Sequence, residues 1–247
     1  MQLKSNLGKT NILGLTQRTI AVSAFTFLAL LCVVPASAAS ISVTNASFEL
    51  PPTATSCGGP AGCSFNTYAV GSSFTGWTVA GNSSDAGQLT EGTATFYSKN
   101  AVDSNTTVGY VANNGNTLYG PGYMYQVLGV TTLANTLYTL TVDVTQRTDI
   151  PAFSTASAIA LKIGGIQTPV VTSASVTAGN WTTLTLNYIS LTAGQTIEID
   201  LMNTLARGTA GEAIFDNVTL SAVPEPSTIF MAGIGFAMLA IGARRKK

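Results

Sequence analysis

The sequence predicts an all-β protein, a jelly-roll β-sandwich, with an apolar segment near each end of the chain. Three observations predict this fold. Thr, Ser, Gly and Asn dominate the 185 residues between the two ends. Apolar and polar residues alternate there in short segments that turn residues separate. The same region has no stretch with the 3.6-residue apolar period of an amphipathic helix, so two stacked sheets are expected to bury its apolar faces.

The N-terminal 38 residues have the three parts of a secretory signal peptide. Lys4, Lys9 and Arg18 precede an apolar segment at residues 20–34, which an Ala-x-Ala site follows. Ala36 and Ala38 form that site, and we expect cleavage after Ala38 and export of the chain. A retained signal anchor is the alternative, but it needs a longer apolar run and no cleavage site.

The C-terminal 24 residues have a different three-part pattern. A Pro-Glu-Pro tripeptide comes first, an apolar run at residues 228–243 follows, and a basic cluster ends the chain. As a helix the run spans roughly 24 Å, which is short against a hydrocarbon core of roughly 30 Å. The positive-inside rule keeps the basic cluster cytoplasmic and the preceding chain outside. A core helix is the alternative, but it would carry four cations into the core. The tripeptide is Pro224, Glu225 and Pro226, and the cluster is Arg244, Arg245, Lys246 and Lys247.

In this order the three parts resemble the PEP-CTERM sorting signal of Gram-negative bacteria. The resemblance implies that an exosortase, a membrane-embedded cysteine protease, cuts at or near the tripeptide and passes the protein to the cell surface. A transient intermediate would then be held in the inner membrane by a single transmembrane sorting helix. Three parts are therefore expected: a signal peptide at residues 1–38, a β-sandwich at residues 39–223 and a sorting signal at residues 224–247.

The predicted β-sandwich is acidic. Residues 39–223 contain four basic and ten acidic residues, a net charge of −6. This balance argues against nucleic acid as a partner and against anionic polysaccharide held by charge alone. Cys57 and Cys63 bracket a short glycine-containing loop, and export to an oxidising compartment favours a disulfide between them. A metal-binding pair is the alternative, but no histidine and no other thiol remain to complete a soft site.

Strand-like segments follow one another at intervals that turn residues mark. The predicted strands are residues 41–50, 74–80, 93–98, 107–111, 123–128, 137–146, 157–163, 169–176, 181–189, 196–202 and 213–221. The predicted turns are residues 113–115, 164–165, 178–180 and 193–194, and residues 51–73 are expected to form a loop. The side chains predicted to face inward are Tyr138, Leu140, Val142 and Val144 in one strand and Ile197, Ile199 and Leu201 in another.

The same alternation assigns a side to each strand carboxylate. Asp143, Glu198 and Asp200 alternate with inward residues, so we expect them in water. Asp216 instead shares the parity of Ile214, and of Val218 and Leu220 beyond it, so we expect it buried. An unpaired buried carboxylate costs several kcal/mol, so Asp216 requires a cation or several hydrogen-bond donors.

Four motifs in this region resemble the galactose-binding-like jelly-roll domains, a group that includes many carbohydrate-binding modules. They are residues 45–49 (Asn-Ala-Ser-Phe-Glu), 76–77 (Gly-Trp), 137–144 (Leu-Tyr-Thr-Leu-Thr-Val-Asp-Val) and 215–220 (Phe-Asp-Asn-Val-Thr-Leu). The resemblance implies a structural calcium ion held by Glu49 and Asp216 with backbone carbonyls, a set of hard oxygen ligands. The alternative is that backbone amides or water satisfy both carboxylates.

Catalytic patterns are absent from the sequence, whereas a binding surface is indicated. Without histidine the commonest general base is missing, and no local pattern singles out a glycosidase acid–base pair, so we expect a non-catalytic protein. Tyr119, Tyr123 and Tyr125 lie among glycines, and tyrosine rings stack on sugars of neutral glycans. The alternative is that Tyr123 and Tyr125 pack inside the sandwich. Trp77 and Trp181 are expected in the core.

The sequence therefore predicts an exported cell-surface or extracellular-matrix protein with a carbohydrate-binding-like module that associates with neutral exopolysaccharide. A secreted polysaccharide hydrolase and a purely structural surface or biofilm protein without glycan affinity are the alternatives. The expected partners are the exosortase, the inner membrane transiently, and polysaccharide. Structural calcium is the one cofactor expected.

Overall fold

Fifteen β-strands make up the regular structure of the residues that the computed structural model describes. Those residues are 37–50, 55–56, 64–83, 85–90, 107–114, 118, 121–146, 157–173, 176 and 179–225. The strands are β1 (Ala39–Ile41), β2 (Thr55–Ser56), β3 (Ser64–Tyr68), β4 (Ser73–Phe74), β5 (Trp77–Gly81), β6 (Asp85–Thr90), β7 (Thr107–Asn114), β8 (Gly122–Thr131), β9 (Thr136–Thr145), β10 (Ser157–Ile163), β11 (Ile166–Gln167), β12 (Val171–Thr172), β13 (Thr182–Ser190), β14 (Thr196–Asn203) and β15 (Ala210–Pro224). No helix occurs within these ranges, and the prediction of an all-β protein is confirmed.

The strands form two antiparallel sheets, and the prediction of a β-sandwich of jelly-roll type is confirmed. The larger sheet has the order β13-β9-β15-β7-β6-β3-β2, with β1 paired to β15. The smaller sheet has the order β11-β10-β14-β8-β5-β4, with β12 paired to β10. All of this belongs to one compact unit, Ala38–Glu225.

The main core lies between the inner faces of the two sheets. The predicted inward residues of β9 and β14 all belong to it, because side chains at every second position point to the same face. A second, smaller apolar cluster lies on the opposite face of the larger sheet, which is called the outer face below. Its members are Leu89, Val108, Tyr110 and Ile214, with Ala112 and Trp181 packed against them. Trp77 lies in the main core as predicted, whereas Trp181 packs on this outer face.

The segment after β1 differs from the predicted strand. Residues 42–50 form turns, and Asn45 and Phe48 have positive φ angles of 51° and 60°. Phe48 is fully buried, and its ring stacks on Trp77 with 5.3 Å between centroids. A Cβ atom at Gly109 on β7 would lie 2.6 Å from this ring, so glycine is required there. Alternating apolar residues predicted a strand here, but Phe48 is buried by a turn.

Other boundaries also differ from prediction. The predicted strand at residues 74–80 is a hairpin of β4 and β5, because Gly76 has a φ of 83° between them. The predicted strand at residues 169–176 shortens to β12, and the predicted loop at residues 51–73 contains β2 and β3. β6 is an additional strand. The predicted strand at residues 93–98 lies outside the described residues.

A β-bulge in β15 changes which residues share a face. The register with β9 shifts between Asp216 and Thr219, where Asn217 has a φ of 48°. Ile214 and Asp216 therefore lie on the outer face, whereas Val218 and Leu220 lie in the main core. The expectation that all four share one face was wrong, because the bulge inserts an extra residue.

Candidate functional site

Four carboxylate side chains of the described residues lie on the outer face of the larger sheet. They are Asp85 on β6, Asp143 on β9, and Glu212 and Asp216 on β15. Asp85 is exposed, but Asp143 is only 7% exposed and Asp216 only 1%. The burial predicted for Asp216 is confirmed, whereas the expectation that Asp143 lies in water was wrong. The pattern within β9 predicts the face correctly, but it carries no information on whether that face is covered.

Asp143 and Asp216 are directly opposite each other on neighbouring strands. Side chains in that relation have Cβ atoms roughly 4.5–5.5 Å apart. The bulge residue holds both of them, because the Asn217 side chain donates a hydrogen bond to Asp143 Oδ2 at 3.2 Å and the Asn217 amide donates to Asp216 Oδ1 at 2.8 Å. Thr183 Oγ1 on β13 donates to Asp143 Oδ1. Two carboxylates are thus held side by side in a buried setting.

Tyr110 is the buried aromatic residue of the same outer face. It lies on β7 opposite Ile214 and is 1% exposed. Its hydroxyl group forms a 2.8 Å hydrogen bond with Thr67 Oγ1. Burial, and then the charges of Asp85 and Glu212, raise the pKa of Tyr110, so the phenol is neutral at physiological pH. We call Tyr110, Asp143 and Asp216, with the apolar residues around them, the carboxylate surface.

A second group of polar and aromatic residues lies on the outward face of the smaller sheet. Asp200 on β14 is 5% exposed, and its neighbours across the sheet are Tyr125 on β8 and Ala160 on β10. Its Oδ1 atom is buried and accepts no hydrogen bond within the described structure. The expectation that Asp200 lies in water was wrong. Glu198, two residues earlier, accepts a 3.0 Å hydrogen bond from Lys162.

The tyrosines of β8 point away from the core. Met124, between them, is fully buried, so Tyr123 and Tyr125 share the outward face and both are half-buried. Their ring centroids are 6.0 Å apart. The alternative that they pack between the sheets was wrong. Burial is the first cause of the raised pKa of Tyr123, followed by the charge of Asp200.

The two predicted calcium ligands belong to segments that the fold brings together. The Val218 amide donates to the Ala46 carbonyl at 3.0 Å, which joins the turn at residues 42–50 to the bulge in β15. Glu49 Oε1 accepts a hydrogen bond from the Thr107 amide at 3.1 Å, and Asp216 Oδ1 accepts from Asn217. One oxygen of each carboxylate is therefore bound to an amide, as the alternative requires. Calcium binding stays a prediction.

Several predicted residues lie outside the described part of the chain: Ala36, Cys57, Cys63, Tyr119, Pro226, Arg244, Arg245, Lys246 and Lys247. Ala38 is exposed just before β1. Pro224 is the last residue of β15 and is paired with Thr136, and the Glu225 amide donates to the Asn135 carbonyl at 2.8 Å. The Pro-Glu-Pro tripeptide thus begins at the C-terminal end of β15, an interior strand of the larger sheet.

The described residues contain neither a cluster of metal ligands nor a membrane-spanning helix. In those ranges, no three or more Cys, Asp or Glu side chains cluster in a way that could hold a metal ion. Among the same residues, no helix has the length and apolar character needed to cross a membrane.

Sequence reasoning missed Asp143, Asp200 and Tyr110 as members of these surfaces. The available signal was cross-strand pairing rather than any motif. Asp143 belongs to a surface because it faces Asp216, which is more than 70 residues away in the chain. The register between β15 and β9 depends on the bulge at Asn217, and no residue pattern near β9 predicts that bulge.

Together, the antiparallel sandwich and the carboxylate surface define a jelly-roll protein with a buried acidic and aromatic face. The chain belongs to the HpiC1-like family, whose model, described as HpiC1 cyclase, matches residues 39–221. A PEP-CTERM protein-sorting motif matches residues 222–246. The predicted sorting signal is confirmed, and the protein is exported, transits the membrane and is sorted to the cell surface by an exosortase.

Two solved structures from Fischerella sp. TAU support the fold. The Stig cyclase Fisc from Fischerella sp. TAU, in complex with (3Z)-3-(1-methyl-2-pyrrolidinylidene)-3H-indole, is similar over 77% of this chain and 100% of its own, with 22% identity and a TM-score of 0.59. A cyclase from the same organism, in complex with 4-(1H-indol-3-yl)butan-2-one, is similar over 76% and 100%, with 23% identity and a TM-score of 0.58. The CBM22-1 xylan-binding domain from Paenibacillus barcinonensis Xyn10C is similar over 65% and 95%, with 14% identity and a TM-score of 0.40. Curated proteins yielded no sequence match.

Proposed function

We propose that this exported protein binds an uncharged, ring-bearing small molecule at the carboxylate surface and catalyses its isomerisation by proton transfer. The observation that carries the proposal is the pair of directly opposed, buried carboxylates Asp143 and Asp216. The neutral phenol of Tyr110 lies on the same outer face, with its hydroxyl group bonded to Thr67 on β3. Membership of a cyclase family supports the reaction class. The sequence-based expectation of a non-catalytic protein has not been tested and stays a prediction.

Different residues of the carboxylate surface supply apolar contact, hydrogen bonding and proton transfer. Leu89, Val108 and Ile214 supply apolar contact for a flat ring, and Tyr110 supplies a hydroxyl group that can donate to a polar substituent. Asp143 accepts hydrogen bonds from Thr183 and Asn217, which hold its carboxylate in one orientation. Asp216 is the group to which we assign proton donation and recovery.

Such a reaction conserves atoms. Protonation of an unsaturated carbon of the substrate generates a cation, and the carboxylate of Asp143 stabilises it electrostatically. A new carbon–carbon bond closes the ring, and loss of a proton to Asp216 restores the starting state of the protein. Substrate and product are then isomers of equal mass, and no oxidant, reductant or leaving group is required.

The first experiment is titration of the purified full-length protein with 4-(1H-indol-3-yl)butan-2-one, the ligand of a structural relative. We expect binding in the micromolar to millimolar range and at least a tenfold weakening by Tyr110→Phe or Asp216→Asn. Glu198→Gln on the other sheet is the matched control and should bind as the wild type does. Absence of binding at millimolar concentrations, or equal binding by Asp216→Asn, contradicts the proposal.

A second candidate function is non-catalytic binding of neutral glycan at the outward face of the smaller sheet. Its supporting observation is the pair of half-buried tyrosine rings, Tyr123 and Tyr125, beside the buried Asp200 Oδ1 atom. Rings stack on the C–H faces of sugars, and a carboxylate accepts hydrogen bonds from hydroxyl groups. Polysaccharide pull-down that Tyr125→Ala abolishes, without any turnover of small molecules, favours this candidate over the first.

A further inference from the structure

One end of the sandwich carries an unusual number of exposed apolar side chains. Three connections lie at this end: β8 to β9, β13 to β14, and the turn between β10 and β11. They meet there because Thr131 pairs with Thr196, and Ile163 pairs with Ile197 on β14 and with Ile166 on β11. Five of the ten exposed large hydrophobic side chains among the described residues are found here. They are Val130 at 45% exposure, Leu133 at 56%, Ile166 at 76%, Ile189 at 50% and Leu191 at 75%.

The apolar character of this end continues onto the larger sheet. Ile189 is the cross-strand neighbour of Leu137, and Leu137 is the neighbour of Val223 on β15. Within residues 129–136, 163–168, 189–196 and 222–225, Glu225 is the one charged side chain. The Lys162–Glu198 ion pair borders these ranges, because Lys162 is the cross-strand partner of Gln167. We call this surface, with Leu133, Ile166 and Leu191 at its three tips, the apolar end.

The sorting segment leaves the sandwich at the apolar end. Pro224 pairs with Thr136, and the Glu225 amide is bound to Asn135 in the β8–β9 connection that also contains Leu133. In the sequence, only Pro226 and Ser227 separate Glu225 from the apolar run that begins at Thr228. Three fully extended residues span roughly 10 Å. While the apolar run is in the bilayer, Glu225 is therefore held within about that distance of the lipid.

We propose that the apolar end docks on the lipid bilayer in which the sorting segment is inserted, with Leu133, Ile166 and Leu191 entering the headgroup region. A tether this short makes the contact effectively intramolecular, so even modest apolar burial shifts the equilibrium towards the docked state. Uncharged tips with leucine and isoleucine suit the interface, where charged residues on the insertion face would oppose entry. Docking would hold the Pro-Glu-Pro tripeptide at the level of the membrane surface, where a membrane-embedded protease works.

The test uses the full-length chain in vesicles of phosphatidylethanolamine and phosphatidylglycerol. Photoreactive p-benzoylphenylalanine replaces Leu133, Leu191 or Leu118, one position in each protein. Leu118 is the matched control, because it is 69% exposed and follows β7 at the opposite end. β8, with ten residues, separates the two ends by roughly 30 Å. We expect at least ten times more lipid adduct at positions 133 and 191 than at position 118.

Two results overturn the proposal. Equal lipid adduct at all three positions shows that the sandwich is tethered without docking, and adducts to a second protein copy at positions 133 and 191 show that this end is a protein interface. A charge variant provides an independent check. Leu133→Asp with Leu191→Asp should lower lipid adducts from a probe at position 166 at least fivefold. It should leave the thermal midpoint unchanged, because both leucines are exposed in the fold.

Discussion

Asp200 shows how a carboxylate on an outward sheet face becomes buried without entering the core. Burial raises the pKa of Asp200 to about 7, and the charge of Glu198 and a hydrogen bond with it act in the same direction. Lys162 opposes the shift, but its nearest partner is Glu198, at 3.0 Å. The outward-facing ionisable groups around Asp200 are therefore Glu198, Lys162, Tyr123 and Tyr125.

The raised pKa of Asp200 predicts a pH dependence of stability. The unfolded carboxyl group has a pKa of roughly 4, so between about pH 4 and pH 7 the folded protein binds the extra proton and its free energy of unfolding falls as the pH rises. Asp200→Asn should flatten this slope and raise the free energy of unfolding at pH 8 by about 1–3 kcal/mol. Urea denaturation at pH 5 and pH 8 measures both effects.

Asp85→Asn is the control for this experiment, because Asp85 is an exposed carboxylate on the other sheet. It should leave the pH slope as in the wild type. If Asp200→Asn retains the wild-type slope as well, Asp200 is not the group that titrates.

At the scale of the element, the bulge in β15 creates the carboxylate surface. Asn217 adopts a φ of 48°, a conformation that asparagine and glycine tolerate and β-branched residues do not. The extra residue sends Val218 into the core while Asp216 stays on the outer face opposite Asp143. Because of the bulge, one strand places apolar side chains in the core and a carboxylate on the outer face.

Two substitutions at this position separate backbone strain from the lost side-chain hydrogen bond. Both Asn217→Gly and Asn217→Val remove the hydrogen bond to Asp143, which should cost about 1 kcal/mol. Only valine adds the strain of the left-handed conformation. The free energy of unfolding of Asn217→Val should therefore be about 1–2 kcal/mol lower than that of Asn217→Gly. Chemical denaturation of both variants gives the difference. Equal stabilities would indicate that the strand moves to a different register.

For the whole molecule, the turn at residues 42–50 joins the two sheets. Thr44 exchanges two hydrogen bonds with Gln126 of the smaller sheet, at 2.8 and 2.9 Å. On the larger sheet, Ala46 binds the bulge and Glu49 binds the start of β7. The Gln88 side chain on β6 donates to the carbonyls of Phe48 and Leu50. The turn therefore serves as a brace, and a calcium ion at Glu49 and Asp216 would strengthen it.

Chelation tests that calcium prediction on the intact protein. A site at 100 times its dissociation constant contributes about 2.7 kcal/mol, which for a chain of this size is a shift of roughly 5–10 °C in the thermal midpoint. We expect the midpoint to fall by this amount when EDTA is added to calcium-loaded protein and to recover with calcium. Glu49→Gln should melt at the lower temperature with and without EDTA. A midpoint that EDTA leaves unchanged in the wild type contradicts the prediction.

The fold class, the inward faces of β9 and β14, and the sorting motif can all be predicted from the amino-acid sequence. These features are local: alternation reports which side chains share a face, and the Pro-Glu-Pro tripeptide, apolar run and basic cluster are contiguous. The burial of Asp216 also followed from parity, although for the wrong neighbours, because the bulge at Asn217 reverses the face of Val218 and Leu220.

Which carboxylates meet and which sheet faces are covered could not be predicted, because both depend on contacts between distant parts of the chain. Asp143 and Asp200 alternate with core residues in the way solvated side chains do, yet both are buried. Their surroundings depend on strand register, on the bulge and on residues far away in the chain, such as Asp216 for Asp143 and Tyr125 for Asp200. The apolar end has the same origin, since Leu133, Ile166 and Leu191 lie at one end of the sandwich only because three separate connections reach that end.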